Sequence, residues 1–140
     1  MIRDAREDDA AQVAALLGEL GYPTTEAQVR ARIAALTARD DYTVRVFADA
    51  DTILGVISLQ VHPGLEIDEP IGLITALVVG TKARRRGVAR ALVEDVLDFA
   101  RKHGCARVNV GSGLHRADAH AFYEDIGFTR SGIRFRKTLT

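Results

Sequence analysis

The order of apolar and polar positions divides the chain into short elements separated by turn residues. Ile2 to Ala5 reads as a first strand. Ala10 to Leu20 sets Ala10, Val13, Ala14, Leu16, Leu17 and Leu20 at helical spacing, with acidic residues ahead and Gly21 behind. Tyr22-Pro23 connects to a second helix that runs through Ala38. Thr24 or Thr25 can cap it, Glu26 sits in its first turn, and Val29, Ile33, Ala34 and Leu36 are among its apolar members. Tyr42 to Ala50 and Thr52 to Val61 form a hairpin about Asp49-Ala50-Asp51, with Gly55 inside the second strand. His62-Pro63-Gly64 breaks the pattern. Leu65 to Pro70 is then a polar loop carrying Glu66, Asp68 and Glu69.

The segment from Ile71 to His103 organises the rest. Ile71 to Val79 is a β-branched, apolar run of the kind expected for a strand buried on both faces. Gly80-Thr81-Lys82 turns the chain, and Arg84-Arg85-Arg86-Gly87-Val88-Ala89 leads into a helix. Val88, Leu92, Val96 and Phe99, widened by Ala89, Val93 and Leu97, make its apolar stripe, and Gly104 stops it. Arg107 to Val110 is a short β-run, Ala117 to Ile126 a short helix, and a last β-segment follows Gly127-Phe128 through Leu139. Strands on both sides of a central helix imply an α/β fold with a mixed sheet. At 140 residues the chain fits one domain, long enough to bury about two-thirds of its unfolded surface.

Composition narrows the partners. Nineteen basic and 19 acidic residues cancel, which argues against broad nucleic-acid binding, because that relies on many phosphate contacts. Positive charge is concentrated at Arg84 to Arg86 instead. Cys105 is the only cysteine, so no intrachain disulfide forms, and its setting suggests a small buried residue. The charged start, MIRDAREDDA, is not a signal peptide, and no apolar run approaches ~20 residues. A soluble cytoplasmic protein without a membrane partner is the expectation.

A buried strand, a basic glycine-containing turn and a helix start suit a phosphate. The first helical amides lack intrahelical partners and carry partial positive charge. Gly87 and Ala89 allow a ligand oxygen close to the backbone, and arginines add planar donors. The same residues also fit a solvated basic turn ahead of an ordinary amphipathic helix. Other phosphate motifs are missing: there is no G-x-x-x-x-G-K-[ST], and Gly111-Ser112-Gly113 lacks a third glycine.

The spacing Arg84-x-x-Gly87-x-Ala89 resembles the Gln/Arg-x-x-Gly-x-Gly/Ala signature of the GCN5-related N-acetyltransferase (GNAT) superfamily. Ala119, Phe122, Tyr123, Gly127 and Phe128 match that superfamily's Ala-x-x-Phe-Tyr-x-x-x-Gly-Phe pattern. The resemblance implies a single domain over residues 1–140, with a mixed, mostly antiparallel sheet of about six to seven strands flanked by about four helices. It implies acetyl-CoA as acyl donor, with the diphosphate at Arg84, Arg85, Arg86, Gly87, Val88, Ala89 and Arg90, and pantetheine paired to the backbone of Leu77, Val78 and Val79. Tyr123 would stand near the CoA sulfur as general acid. Many members carry Asn where this chain has Arg116, so Arg116 is a candidate for a CoA phosphate or an acidic substrate.

Family members often use a strand glutamate as base. Here Ile71 to Val79 has no carboxylate and Thr75 is its only hydroxyl, which leaves Glu66, Asp68, Glu69 or ordered water. Arg116 to Tyr123, together with Ser131, Arg134, Phe135, Lys137 and Leu139, also resembles aminoalkylphosphonate N-acetyltransferases. No metal ligands can be mapped, since His115 and His120 are five apart rather than the four that align on a helix face. The implied activity is acetyl transfer to a small primary amine. A protein lysine or N-terminus as acceptor, or a non-catalytic acyl-CoA sensor, are the alternatives, and superfamily habit allows a homodimer.

Overall fold

The computed structural model describes residues 1–84, 86–111 and 117–140. The chain divides into two units, Met1–Asn109 and Val110–Thr140. The first begins with β1 (Ile2–Asp4), a 3₁₀ turn at Glu7–Asp9, α1 (Ala10–Glu19) and α2 (Glu26–Thr37). The hairpin of β2 (Tyr42–Asp49) and β3 (Thr52–His62) follows, then β4 (Ile71–Val79), a second 3₁₀ turn at Thr81–Ala83, α3 (Val88–Lys102) and β5 (Arg107–Val110). The described part of the second unit contains α4 (Ala117–Asp125). No helix among the described residues is long and apolar enough to cross a membrane.

The strands lie in the order β1-β2-β3-β4-β5, and the first three pairings are antiparallel. At the far edge, Ala106 N–H donates to Pro70 O (3.0 Å), and Val108 packs over Gly72. That stagger sets the start of β5 alongside the start of β4 in the same direction, so the sheet is mixed. Five strands form among the described residues where about six to seven were expected. The shortfall lies in the tail: residues 128–140 join no ladder, and Ile133, Phe135 and Leu139 stay exposed. Alternation makes a segment fit for a strand, but only an edge with matching amides makes it one.

Side-chain alternation gives the sheet two apolar faces. Val44, Val46, Ala48, Val56 and Val78 join Ala10, Val13 and Leu16 of α1 and Val29 and Ile33 of α2 in one core. On the opposite face α3 comes close to β3. A Cβ at Gly55 would meet Leu92 Cδ1, Val88 Cγ1 and Val78 O, each at 3.1 Å. Ile57, Leu59, Leu92, Val93 and Val96 are fully buried, and each such side chain contributes about 1.5–3 kcal/mol.

Helix ends follow the local chemistry. Thr25 caps α2, its Oγ1 accepting from Gln28 N–H (3.1 Å) while Gln28 Oε1 accepts from Thr25 N–H (3.0 Å). Gly104, at φ +74°, closes α3: its N–H reaches Arg101 O and that of Cys105 reaches Ala100 O, both at 3.0 Å, in a Schellman arrangement. Cys105, expected to be buried, is only half-buried, and that partial desolvation raises its thiol pKa.

β4 departs from the expected strand buried on both faces. Ile71, Gly72, Ile74 and Val78 are buried, but Thr75 is exposed. The reason is a β-bulge: Ser58 faces Ala76 and Leu59 faces Ile74, so Thr75 is an extra residue with no partner in β3.

Asp9 is a buried carboxylate, 5% exposed. Arg3 donates to it through two nitrogens (2.8 and 2.9 Å), and Arg6 N–H donates at 2.8 Å. The Arg3 hydrogen bonds, more than the opposing desolvation, hold its pKa below the usual carboxylate value. Asp9→Ala should therefore cost about 1–3 kcal/mol in urea unfolding at pH 7, with Arg3 still partly solvated. The contribution is complete above the unfolded pKa of about 3.9 and is lost as pH falls through the lower folded value, so the gap between wild type and variant should narrow in strong acid.

Candidate active site

The C-terminal end of β4 is pinned before the chain turns. Gly80 N–H donates to Leu54 O (2.9 Å) and Ala83 N–H to Gly80 O (2.9 Å), while Ala83 is buried. Thr81 N–H reaches Glu19 Oε2 at the end of α1 (3.3 Å). A Cβ at Gly80 would sit 3.2 Å from Leu16 Cδ2, so a larger residue there would require that leucine to shift. Arg84 is extended, and Gly87 enters the left-handed region at φ +75° to start α3.

That start has no side-chain cap, and no acidic residue occupies the first turn. The first intrahelical bond runs from Ala91 N–H to Gly87 O (3.0 Å), which leaves the amides of Val88, Ala89 and Arg90 ahead of the ladder. Among the described residues nothing lies within 4 Å of where a Gly87 Cβ would be, which gives a ligand oxygen access. Arg84, Arg86 and Arg90 are exposed around it. Arg90 Nε contacts Glu94 (3.3 Å), and Arg86 has only a long 3.9 Å approach to Asp49. Uncapped amides, open space and mobile-stemmed cations fit an anion, and phosphate in particular.

Leu77, Val78 and Val79 pair with Ile57, Val56 and Gly55 of β3. On the other side, β5 accompanies the beginning of β4, and no strand among the described residues pairs there with Leu77–Val79. Backbone on that edge suits an extended ligand arm. Glu66, Asp68 and Glu69 lie in the loop between β3 and β4, all exposed. Arg85 and Arg116 lie outside the described residues.

In the second unit, Tyr123 is on α4, half-buried between two rings: Phe122 edge-on at 5.2 Å and Phe128 tilted at 5.5 Å. Gly127, at φ +97°, ends the helix, and Phe128 N–H donates back to Tyr123 O (2.9 Å). Glycine there thus folds Phe128 onto the tyrosine ring. Phe122, Ile126 and Phe128 are half-buried rather than fully enclosed.

The profile of the acetyltransferase (GNAT) family matches residues 10–128. The chain belongs to this family. It is 30% identical over 139 residues to the aminoalkylphosphonate N-acetyltransferase of Salmonella typhimurium, a match covering 99% of this chain and 90% of that one. A crystal structure of a Trypanosoma brucei acetyltransferase superposes with a TM-score of 0.85 at 28% identity, covering 99% of both chains. The uncharacterized N-acetyltransferase YhdJ of Bacillus subtilis is 43% identical over 65 residues, and the chain spans only 46% of its length. The expected GNAT membership is thereby shown, and the expected likeness to an aminoalkylphosphonate N-acetyltransferase is present at 30% identity.

One feature of this GNAT chain was not legible in its sequence. Thr75 Oγ1 lies 2.7 Å from Tyr42 OH and 2.6 Å from Ser58 Oγ, a meeting of three strands at the bulge. Thr75 stood out as the only hydroxyl on β4, but its partners depend on cross-strand register.

The αL backbone at Gly87 gives a direct test. Gly87→Ala should lose about 1–2 kcal/mol in urea unfolding through backbone strain alone, since space for the methyl is free.

Proposed function

We propose that this GNAT chain is an acetyl-CoA-dependent N-acetyltransferase acting on a small primary amine, with residues 1–140 working as one catalytic domain. The observation that carries the reading is the uncapped start of α3 at left-handed Gly87, set among Arg84, Arg86 and Arg90. Those amides and guanidinium groups hold the CoA diphosphate, with Val88 and Ala89 contributing backbone. Arg85 carries the same assignment from sequence alone, and Arg116 that of a contact to a CoA phosphate or an acidic substrate. Leu77, Val78 and Val79 pair with the pantetheine amides along the open edge of β4. The likeness to the Salmonella enzyme along nearly the whole chain favours an aminoalkylphosphonate-like acceptor over a protein amine. A cytoplasmic site of action and pairing of two copies belong to the same reading.

The acceptor nitrogen attacks the thioester carbonyl, the new N–C bond forms as C–S breaks, and the nitrogen loses one proton. Tyr123 gives its phenolic proton to the departing sulfur and recovers one from solvent. An amine of pKa near 10 is only about one part in a thousand neutral at pH 7, which accounts for ~4 kcal/mol of the apparent barrier. Glu66, Asp68 and Glu69 are the carboxylates in the chain's approach to β4, and one of them acting through water, or ordered water alone, takes the acceptor's proton. The absence of a carboxylate on β4 keeps a non-catalytic acyl-CoA sensor as the second reading.

Calorimetry with acetyl-CoA should give saturable binding to wild type and at least about tenfold weaker binding to Gly87→Glu, whose side chain brings bulk and negative charge to the anion. Unchanged affinity would remove the diphosphate assignment. Thiol release with 2-aminoethylphosphonate should fall about 100-fold in kcat for Tyr123→Phe, with acetyl-CoA affinity retained. Equal kcat would remove Tyr123 as the acid, and binding without turnover on any amine would favour the sensor.

A further inference from the structure

Three strands each send one hydroxyl to the β4 bulge. Tyr42 and Ser58 stand on the face of β2 and β3 that also carries Val44 and Val56. In a regular strand Thr75 would be placed by alternation alone. The extra residue in β4 instead brings its side chain beside Ser58 and Tyr42. Both contacts are ordinary hydroxyl–hydroxyl hydrogen bonds in length.

The cluster is anchored at one end and open at the other. Ser58 is 8% exposed, Tyr42 packs partly against the α1–α2 core, and Thr75 is exposed. Two internal contacts use two of three hydroxyl hydrogens, so one donor and several lone pairs remain for a ligand. Among the described residues no carboxylate bonds to any of these three hydroxyls. Asp41, next to Tyr42 in the chain, is held by Arg39 through two contacts of 2.8 and 2.9 Å.

That neutrality has a chemical consequence. A carboxylate at hydrogen-bond distance would favour the ammonium form of an amine, whereas hydroxyl lone pairs accept N–H bonds without adding that bias. Nucleophilic attack needs the neutral form. The position along the strand also fits. A pantetheine arm laid back along β4 from the α3 turn leads towards Thr75, four residues before Val79, about 13 Å at the usual strand rise.

We propose that the Tyr42–Thr75–Ser58 hydroxyl cluster docks the amino group of the acceptor, with Thr75 Oγ1 accepting an N–H bond and aiming the nitrogen lone pair at the thioester. This rests on the acetyltransferase reading above and adds to it the place where a small primary amine is held. Ser58 and Tyr42 are positioning residues, fixing the Thr75 rotamer from either side.

The test uses the full chain with acetyl-CoA and four amines: 2-aminoethylphosphonate, glucosamine 6-phosphate, spermidine and a lysine-containing peptide. Thiol release gives KM and kcat, and calorimetry gives acetyl-CoA affinity. Thr75→Val, nearly isosteric, should lower kcat/KM for the amine that wild type uses by about 10–100-fold, with acetyl-CoA Kd within about twofold. Thr75→Ser should restore most of it, because it returns the hydroxyl. Should Thr75→Val fold poorly, Tyr42→Phe carries the test, expected as a raised amine KM at unchanged acetyl-CoA affinity. Wild-type kinetics in Thr75→Val, or no rescue by Thr75→Ser, overturns the proposal, as does acetyl-CoA binding with none of the four amines acetylated. Failure of wild type to bind acetyl-CoA instead overturns the underlying acetyltransferase reading.

Discussion

The close approach of α3 to β3 at Gly55 is the constraint on which the first unit's chemistry depends. Three heavy atoms crowd the position where a Cβ would be, two of them from the first turns of α3 and one the backbone oxygen of Val78. The helix is thereby seated against the pairing of β3 with β4. Its uncapped amides are then presented just beyond the C-terminal end of β4 rather than free in solvent. An open helix start satisfies nothing by itself, and fixing it beside a strand end makes it a place for an anion.

Charge pairs hold the surrounding frame. Arg45 on β2 donates to both carboxylate oxygens of Asp95 on α3 (2.8 and 3.2 Å) and to Asp4 on β1 (2.8 Å), joining three elements through one guanidinium. These groups are about a quarter exposed apart from Asp4, so the net stabilisation is small. Their planar geometry nevertheless fixes how α3 lies across the sheet. The Arg3–Asp9 pair does similar work where β1 leads into α1. A formal net charge of zero thus hides an uneven distribution: many cations are committed to carboxylates, while those around the α3 turn are weakly committed.

The bulge in β4 separates two jobs along one strand. Below it, Ile71, Gly72 and Ile74 pack in the interior, and above it Leu77 to Val79 border the turn. The added residue breaks the alternation at Thr75 and brings a hydroxyl to a face that apolar side chains would otherwise fill. A bulge costs ladder hydrogen bonds, and its reward here is the placement of a polar group among strands.

The sequence by itself determined the secondary elements that reach into both units, and the turn motif. Helical spacing located α1, α2 and α3 to within a few residues, the Thr25 cap and Gly104 stop were readable, and Arg84-x-x-Gly87-x-Ala89 pointed to the family. These signals are local, since capping, periodicity and left-handed glycine depend on residues within a turn or two. Only the tertiary structure decided the sheet's extent, the exposure of Thr75 and its partnership with Tyr42 and Ser58. Residues 128–140 carry a strand-like pattern yet join no ladder among the described residues, because pairing needs an edge that the segment itself does not encode. Residues 42, 58 and 75 meet because cross-strand register overrides separation along the chain, and a single inserted residue changes which side chains share a face.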